Sequence, residues 1–362
     1  MINITEPTLI LNEERCLQNI KAMVDKARRH GIKLRPHFKT HQSHDIGRLF
    51  RKEGVEAITV SSVKMAQYFA EDGWDDITIA FPVNLRKLES LNELASKITL
   101  NILVSSQETP TLLASGLKHA INVYIEIDCG SNRSGFRFDD IETIQKTKKS
   151  IVESELLNFI GYYSHAGHTY GARSKDEINA IGSKALNDFT SIKKIDGSDV
   201  EFCWGDTPSC SVWDAFEGIS ELSPGNFVFY DVMQTQIGSC EFRDIAVALC
   251  CPVVAKKNNE LEVCVHGGAI HFSKDSITKD GLAIFGIPVA NDTWEPLTGA
   301  FVRALSQEHG IVKLSTHDYK SYKVGDVMYI LPIHSCLTAE AIGSYLTIQG
   351  DTVKHMSQKN RD

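Results

Sequence analysis

The sequence predicts a parallel (β/α)8 barrel followed by a β-domain. Strand-like runs recur at fairly even spacing through the first two-thirds of the chain. Most intervals between them carry helix-period apolar stripes. Near Gly238 the texture changes to alternating β-branched residues. The first two observations call for alternating strands and helices, and the third for a separate sheet. The same period also fits an open doubly wound sheet.

The strand-like runs are Thr8–Leu11, Lys33–Phe38, Ala57–Ser62, Asp76–Pro82, Leu100–Ser106, Asn122–Gly130, Leu157–Gly167 and Glu201–Asp206. Taken as eight barrel strands, they set the first domain at residues 8–237. Between the first two, NEERCLQNIKAMVDKARRHG puts Leu17, Ile20, Met23 and Val24 on one helical face and ends in a glycine stop. VKMAQYFAEDGW does the same with Met65, Tyr68 and Phe69. After Gly238, IAVALCCPVVAKKNNELEVCVHGG alternates across Asn258-Asn259, a hairpin signal. YKVGDVMYILPIHSC and SYLTIQGDTVKHM repeat that texture. Residues 238–362 are therefore expected to form the β-domain, with residues 1–7 placed beside it.

Composition narrows the function. The chain has 362 residues, 42% hydrophobic and 23% charged, enough for a large core. A formal net charge of −8 offers no attraction to nucleic acid or an anionic membrane, so neither partner is expected. No apolar run approaches the ~20 residues that span a bilayer. The N-terminal residues show no basic region followed by a long apolar stretch, so no secretory leader is expected. Nine scattered cysteines, several in apolar contexts, suit reduced thiols in a cytoplasm.

Candidate chemistry gathers at strand ends, where a barrel carries its site. Lys39 lies in RPHFKTH, behind a proline and between histidines. Burial and neighbouring positive charge there would lower the ammonium pKa and free an amine for Schiff-base chemistry with a carbonyl cofactor. IDCGSNRSGF sets small residues around Arg133, whose guanidinium suits a phenolate or carboxylate; a rim salt bridge to Asp128 or Asp139 is the plainer use. YYSHAGHTYG would send Tyr163 and His165 to one side, either against an aromatic cofactor or as a layer inside the barrel. GDTPS around Thr207 and SPGNFVFYD around Gly225 and Asn226 offer turns with free backbone N–H groups suited to an anion, although such turns are mostly only turns. LPIHSCLTAE places His334 and Cys336 two apart, on one side of a strand, as a soft pair suited to Zn²⁺.

In order and together, RPHFKTH, IDCGSNRSG, YYSHAGHTYG, GDTPS, SPGNFVFYD, SQEHG (Ser306 to Gly310) and HSC resemble the pyridoxal-phosphate enzymes with an alanine-racemase-type barrel. Within them the chain looks most like the D-serine dehydratase and D-threonine aldolase branch. The resemblance spans nearly the whole chain. It implies a homodimer with a pyridoxal 5'-phosphate cofactor and a small-molecule D-amino acid substrate. Lys39 matches the lysine that carries the cofactor, and Arg133 an arginine near its 3-oxygen. Tyr163 and Tyr170 match cofactor contacts, while Thr207, Gly225 and Asn226 match the phosphate cradle. His334 and Cys336 match the zinc pair of the dehydratases; the aldolases usually carry Asp at the second place.

What the resemblance implies is therefore a zinc-assisted lyase that turns a β-hydroxy-D-amino acid such as D-serine into a keto acid and ammonia. Aldol cleavage or racemisation on the same layout are the alternatives, the latter needing a second acid–base for which Tyr319, Tyr322 and Tyr329 are available. A cofactor-binding protein without turnover fits less well, because barrel-only proteins of that kind lack the last third of this chain. Two departures stand out: Asp206 where relatives commonly have a small residue, and His266 where an Asp is common. With His271, the latter is expected to reshape the substrate pocket, toward a bulkier or acidic substrate such as a 3-hydroxyaspartate.

Overall fold

The computed structural model describes residues 3–196 and 200–357. The chain divides into two compact units, one of Lys21–Lys39 and Phe50–Gly225, the other of Met1–Ile20, Thr40–Leu49 and Asn226–Asp362. The first strand, β1 (Thr8–Leu11), belongs to the second unit.

The first unit holds β2 (Lys33–Leu34), β3 (Ile58–Val60), β4 (Asp76–Pro82), β5 (Thr99–Val104), β6 (Ile121–Asp128), β7 (Phe136–Arg137), β8 (Leu157–His165), β9 (Glu201–Gly205) and β10 (Glu221–Leu222). Eight of these run in the order β2-β10-β9-β8-β6-β5-β4-β3, with β7 as a short side branch on β6. Every pairing along that path is parallel. The ends meet through a parallel bridge between His37 and Thr59. There the Phe38 N–H donates to Thr59 O at 2.8 Å and the Thr59 N–H to Pro36 O at 2.9 Å. The parallel ring is thus closed, and the open doubly wound alternative falls. Gly161 permits one tight join: a Cβ there would lie 2.0 Å from Glu201 O on the neighbouring strand.

One expected barrel strand is replaced by another. Thr8–Leu11 reads locally like its barrel counterparts, but it pairs antiparallel with Val247–Cys250 and parallel with Leu346–Thr347. The eighth barrel strand is Glu221–Leu222, whose two residues carry no alternation to read. The intervening helices follow their patterns. Val63–Glu71 starts where the Ser62 side chain accepts the Met65 N–H, and it buries Met65, Ala66 and Phe69.

The second unit holds a mostly antiparallel sheet and, separate from it, the two-stranded pair Ile277–Lys279 and Leu282–Ile284. After β1 it uses β11 (Val247–Lys257), β12 (Glu262–His266), β13 (Ile277–Lys279), β14 (Leu282–Ile284), β15 (Gly286–Val289), β16 (Phe301–Leu305), β17 (His309–Lys313), β18 (Val327–Pro332), β19 (Ser344–Thr347) and β20 (Thr352–Lys354). The order is β16-β17-β12-β11-β1-β19-β20, while β18 joins β11 to β15. The expected hairpin across Asn258-Asn259 is β11–β12. Its core gathers Ile10, Val232, Ile245, Ala248, Val289, Trp294 and Leu331.

Candidate active site

In the barrel unit the residues singled out from the sequence sit at the C-terminal rim of the strands, as the fold requires of a site. Lys39 lies in the turn after the His37 bridge, where its N–H donates to His37 Nδ1 at 3.3 Å. It is exposed, so the expected burial of the amine is absent: two residues beyond the last paired position, the side chain has left the wall. Positive charge does gather around it. His165, at the end of β8, is held neutral down to about pH 3 by burial first, and then by the charges of Lys39 and Arg133. The rim thus brings Lys39, Arg133 and His165 within electrostatic reach of one another.

Arg133 is exposed in the loop after β6. The rim salt bridges considered from the sequence do not form among the described residues. Asp128 accepts the N–H groups of Gly130 and Asn132 at 3.0 and 3.1 Å, and Asp139 pairs with Arg137 at 2.8 Å. Tyr163 lies inside the barrel with Leu103, Tyr124 and Cys203, its hydroxyl donating to Ser223 Oγ at 3.5 Å. Burial pushes that phenol up.

Thr207 opens the short helix Thr207–Val212, and its N–H donates to the Tyr170 hydroxyl at 3.4 Å. Thr207 Oγ1 is buried and has no hydrogen-bond partner among the described residues. An unpaired buried hydroxyl costs free energy unless something else meets it. A phosphate oxygen is one such partner, so this end of the barrel fits the expected cofactor. Asp206 is turned elsewhere: it caps the helix, accepting from Ser209 N at 2.6 Å and Thr169 Oγ1 at 3.0 Å. Burial raises its carboxyl to about 6 against those hydrogen bonds. Gly225 follows β10, where Pro224 O accepts the His37 N–H at 2.8 Å.

In the second unit His334 and Cys336 do come together, but not on a strand. β18 ends at Pro332, and His334 is the N-cap of the helix Ser335–Ile342. Extended backbone at the N-cap and helical backbone at Cys336 bring the two side chains together. His334 Nδ1 lies 2.6 Å from Asp275 Oδ2. Burial opposes charging of the imidazole, yet Cys336, Asp231 and Asp275 raise it to about 10. Burial likewise opposes ionisation of the Cys336 thiol, but the hydrogen bond and charge of His334 bring it below its ordinary value. A thiolate beside an imidazole whose Nδ1 proton is claimed by a carboxylate leaves Nε2 and Sγ as donors, a set that fits zinc. Asn226 turns its side chain here: Nδ2 lies 2.7 Å from Asp231 Oδ2 and 3.5 Å from Cys336 Sγ.

A second cluster in this unit joins His266, His271 and Glu308. His266 Nε2 and His271 Nε2 lie 3.6 and 3.8 Å from the Glu308 carboxylate. However, His271 Nδ1 accepts the Gly268 N–H at 3.1 Å, so the neutral ring carries its proton on Nε2. It presents an N–H where a metal needs a lone pair. Sequence reasoning missed Asp275 and Asp231 altogether.

Known proteins resemble this chain along nearly its whole length. The family model for the alanine racemase N-terminal domain matches residues 11–228, and the chain belongs to that family. A putative serine dehydratase domain matches residues 246–348. Among curated relatives, D-serine dehydratase of Dictyostelium discoideum is 29% identical, covering 96% of this chain and 94% of that one. D-threo-3-hydroxyaspartate dehydratase of Delftia sp. strain HT23 is 24% identical over 97% of this chain and 96% of its own. The solved structure of the latter superposes with a TM-score of 0.90 over 98% of both chains, which establishes the alanine-racemase-type fold. A variant of that dehydratase with a cysteine replaced by alanine has been solved in a metal-free form.

Proposed function

We propose that this protein is a pyridoxal-phosphate- and zinc-dependent lyase that dehydrates β-hydroxy-D-amino acids such as D-serine, giving a 2-keto acid and ammonia. The observation that carries the reading is the His334–Cys336 pair, since the related aldolases usually place Asp at the second position. The names of the full-length relatives point the same way.

Lys39 is the residue assigned to hold the cofactor and then to take the Cα proton of the substrate. When bound, the cofactor supplies an electron sink that acidifies the Cα–H bond, and the metal a Lewis acid for the β-hydroxyl. Arg133 would bring positive charge to the cofactor's 3-oxygen, and His165, held neutral, would add none of its own. Tyr163 and Tyr170 orient the ring. Thr207 and the backbone of Gly225 and Asn226 receive the phosphate. His334 and Cys336 hold the metal through Nε2 and Sγ. A homodimer in the cytoplasm completes the reading, supported by the family resemblance and by nine cysteines that are all free thiols. Among the described residues no helix is long and apolar enough to cross a membrane.

The test is incubation with D-serine, D-threonine and D-3-hydroxyaspartate, followed by product identification. A keto acid and ammonia support the reading. Glycine plus an aldehyde would transfer the protein to the aldolases, and enantiomer exchange to the racemases. A zinc chelator should abolish keto-acid release, with recovery when zinc is returned.

A further inference from the structure

Resting on the zinc reading above, we propose that Asp275 and Asn226 are positioning residues that set the affinity of the His334–Cys336 pair for its metal. Asp275 stands 59 positions before His334, yet its Oδ2 lies 2.6 Å from the ring Nδ1. Two features hold it there. Ser273, two residues earlier, has φ +73° and ψ −180°, a region favourable to glycine, and its hydroxyl accepts the Asp275 N–H at 3.2 Å. Thr338 Oγ1 then ties the segment to the helix Ser335–Ile342, donating to Phe272 O at 3.2 Å and lying 3.1 Å from His334 O. A clamp at Phe272 and strain at Ser273, both just before the carboxylate, aim Asp275 at one nitrogen. The Nδ1 proton is thereby fixed, and Nε2 is left as the ligand atom.

The sulfur has its own support. Asn226 Nδ2 reaches Asp231 Oδ2 at 2.7 Å and Cys336 Sγ at 3.5 Å. Asp231 is buried, and it also accepts the Ser335 N–H at 3.0 Å. The amide is therefore anchored by one carboxylate, and its second N–H is shared between Ser335 Oγ at 3.1 Å and the sulfur at 3.5 Å. Thr40 Oγ1 adds a contact 3.3 Å from the same sulfur.

The experiment measures zinc affinity of metal-stripped, folded protein by competition with a chromophoric chelator, independent of turnover. Asp275→Ala and Asn226→Ala should each weaken zinc by about 10–100-fold, with Asp275→Asn, which keeps an acceptor for the Nδ1 proton, losing less. Cobalt-loaded variants should show shifted ligand-field bands while keeping the sulfur-to-metal charge-transfer band. Thermal midpoints of the metal-free variants, measured in parallel, separate loss of the fold from loss of the ligand geometry. Wild-type zinc affinity retained in folded Asp275→Ala would overturn the proposal. If instead the wild-type protein takes up no zinc, or His334→Ala takes it up equally well, the underlying metal reading fails.

Discussion

Arg35 donates through Nε to Glu221 Oε1 at 2.8 Å, with both side chains almost completely sealed from water. Its other nitrogens grip Asp76 in a fork at 2.5 and 3.0 Å, and the Tyr124 hydroxyl lies 2.6 Å from Glu201 Oε2 and 3.2 Å from Glu221 Oε2. Asp76 and Glu221 each open a strand, so this network closes the end of the barrel away from the Lys39 rim. Removing one partner of such a pair strands the other without water. Arg35→Ala should cost about 3–5 kcal/mol in denaturant unfolding. Cofactor absorption in the fraction that stays folded should be unchanged; a variant as stable as the parent would contradict this reading of the barrel floor.

Thr207→Val gives a test in which two readouts move oppositely. The hydroxyl is buried with no partner among the described residues, so its loss should leave the cofactor-free protein as stable as before or stabler by about 1 kcal/mol. Affinity for the cofactor should fall about tenfold, as one hydrogen bond to a charged phosphate disappears. Dialysis equilibrium and thermal melting read the two effects separately. A drop in both would mean that the hydroxyl serves the fold instead.

Acid should loosen the protein through its buried imidazoles. Burial holds His41 and His165 to about 3 and His355 to about 4, against an ordinary value of 6.5. For these three groups the unfolded chain binds more protons between those limits, so their contribution is full above about pH 6.5 and is lost as pH drops. Asp206 acts in the opposite sense, because its raised pKa of about 6 makes it protonate more readily when folded. Burial raises Glu221 and Asp231 in the same sense, so the fall in stability is smaller than the imidazoles alone would give. Melting midpoints that stay level from pH 7 to 5 would count against buried neutral imidazoles.

Lys39→Ala should abolish both turnover and the visible band of lysine-bound cofactor, while far-UV dichroism stays native because the side chain is exposed. Retention of the band would move the attachment point to another amine.

Much of this molecule was legible in the sequence. Runs such as Asn122–Gly130 and Leu157–Gly167 announce barrel strands because apolar residues end in small, turn-forming ones. Thr8–Leu11 misleads because its composition is equally apolar: partner choice depends on β11 and β19, more than 230 positions away. Glu221–Leu222 is too short to show a period. His334 and Cys336 were found by residue type, but the strand assigned to them was wrong, since LPI continues β18 only as far as Pro332. Asp275 carries no local signal at all; only the fold brings an ordinary loop aspartate to a ring nitrogen.

The sheet position of β1 bears on how the chain is made. Leu9, Ile10 and Leu11 are synthesised before either of their sheet partners and are wholly buried in the finished protein, wedged between β11 and β19. Throughout synthesis that segment waits with both edges bare until the last strands emerge. A fragment spanning 8–237 would keep it waiting permanently, and such a fragment should aggregate unless Thr8–Leu11 is also trimmed.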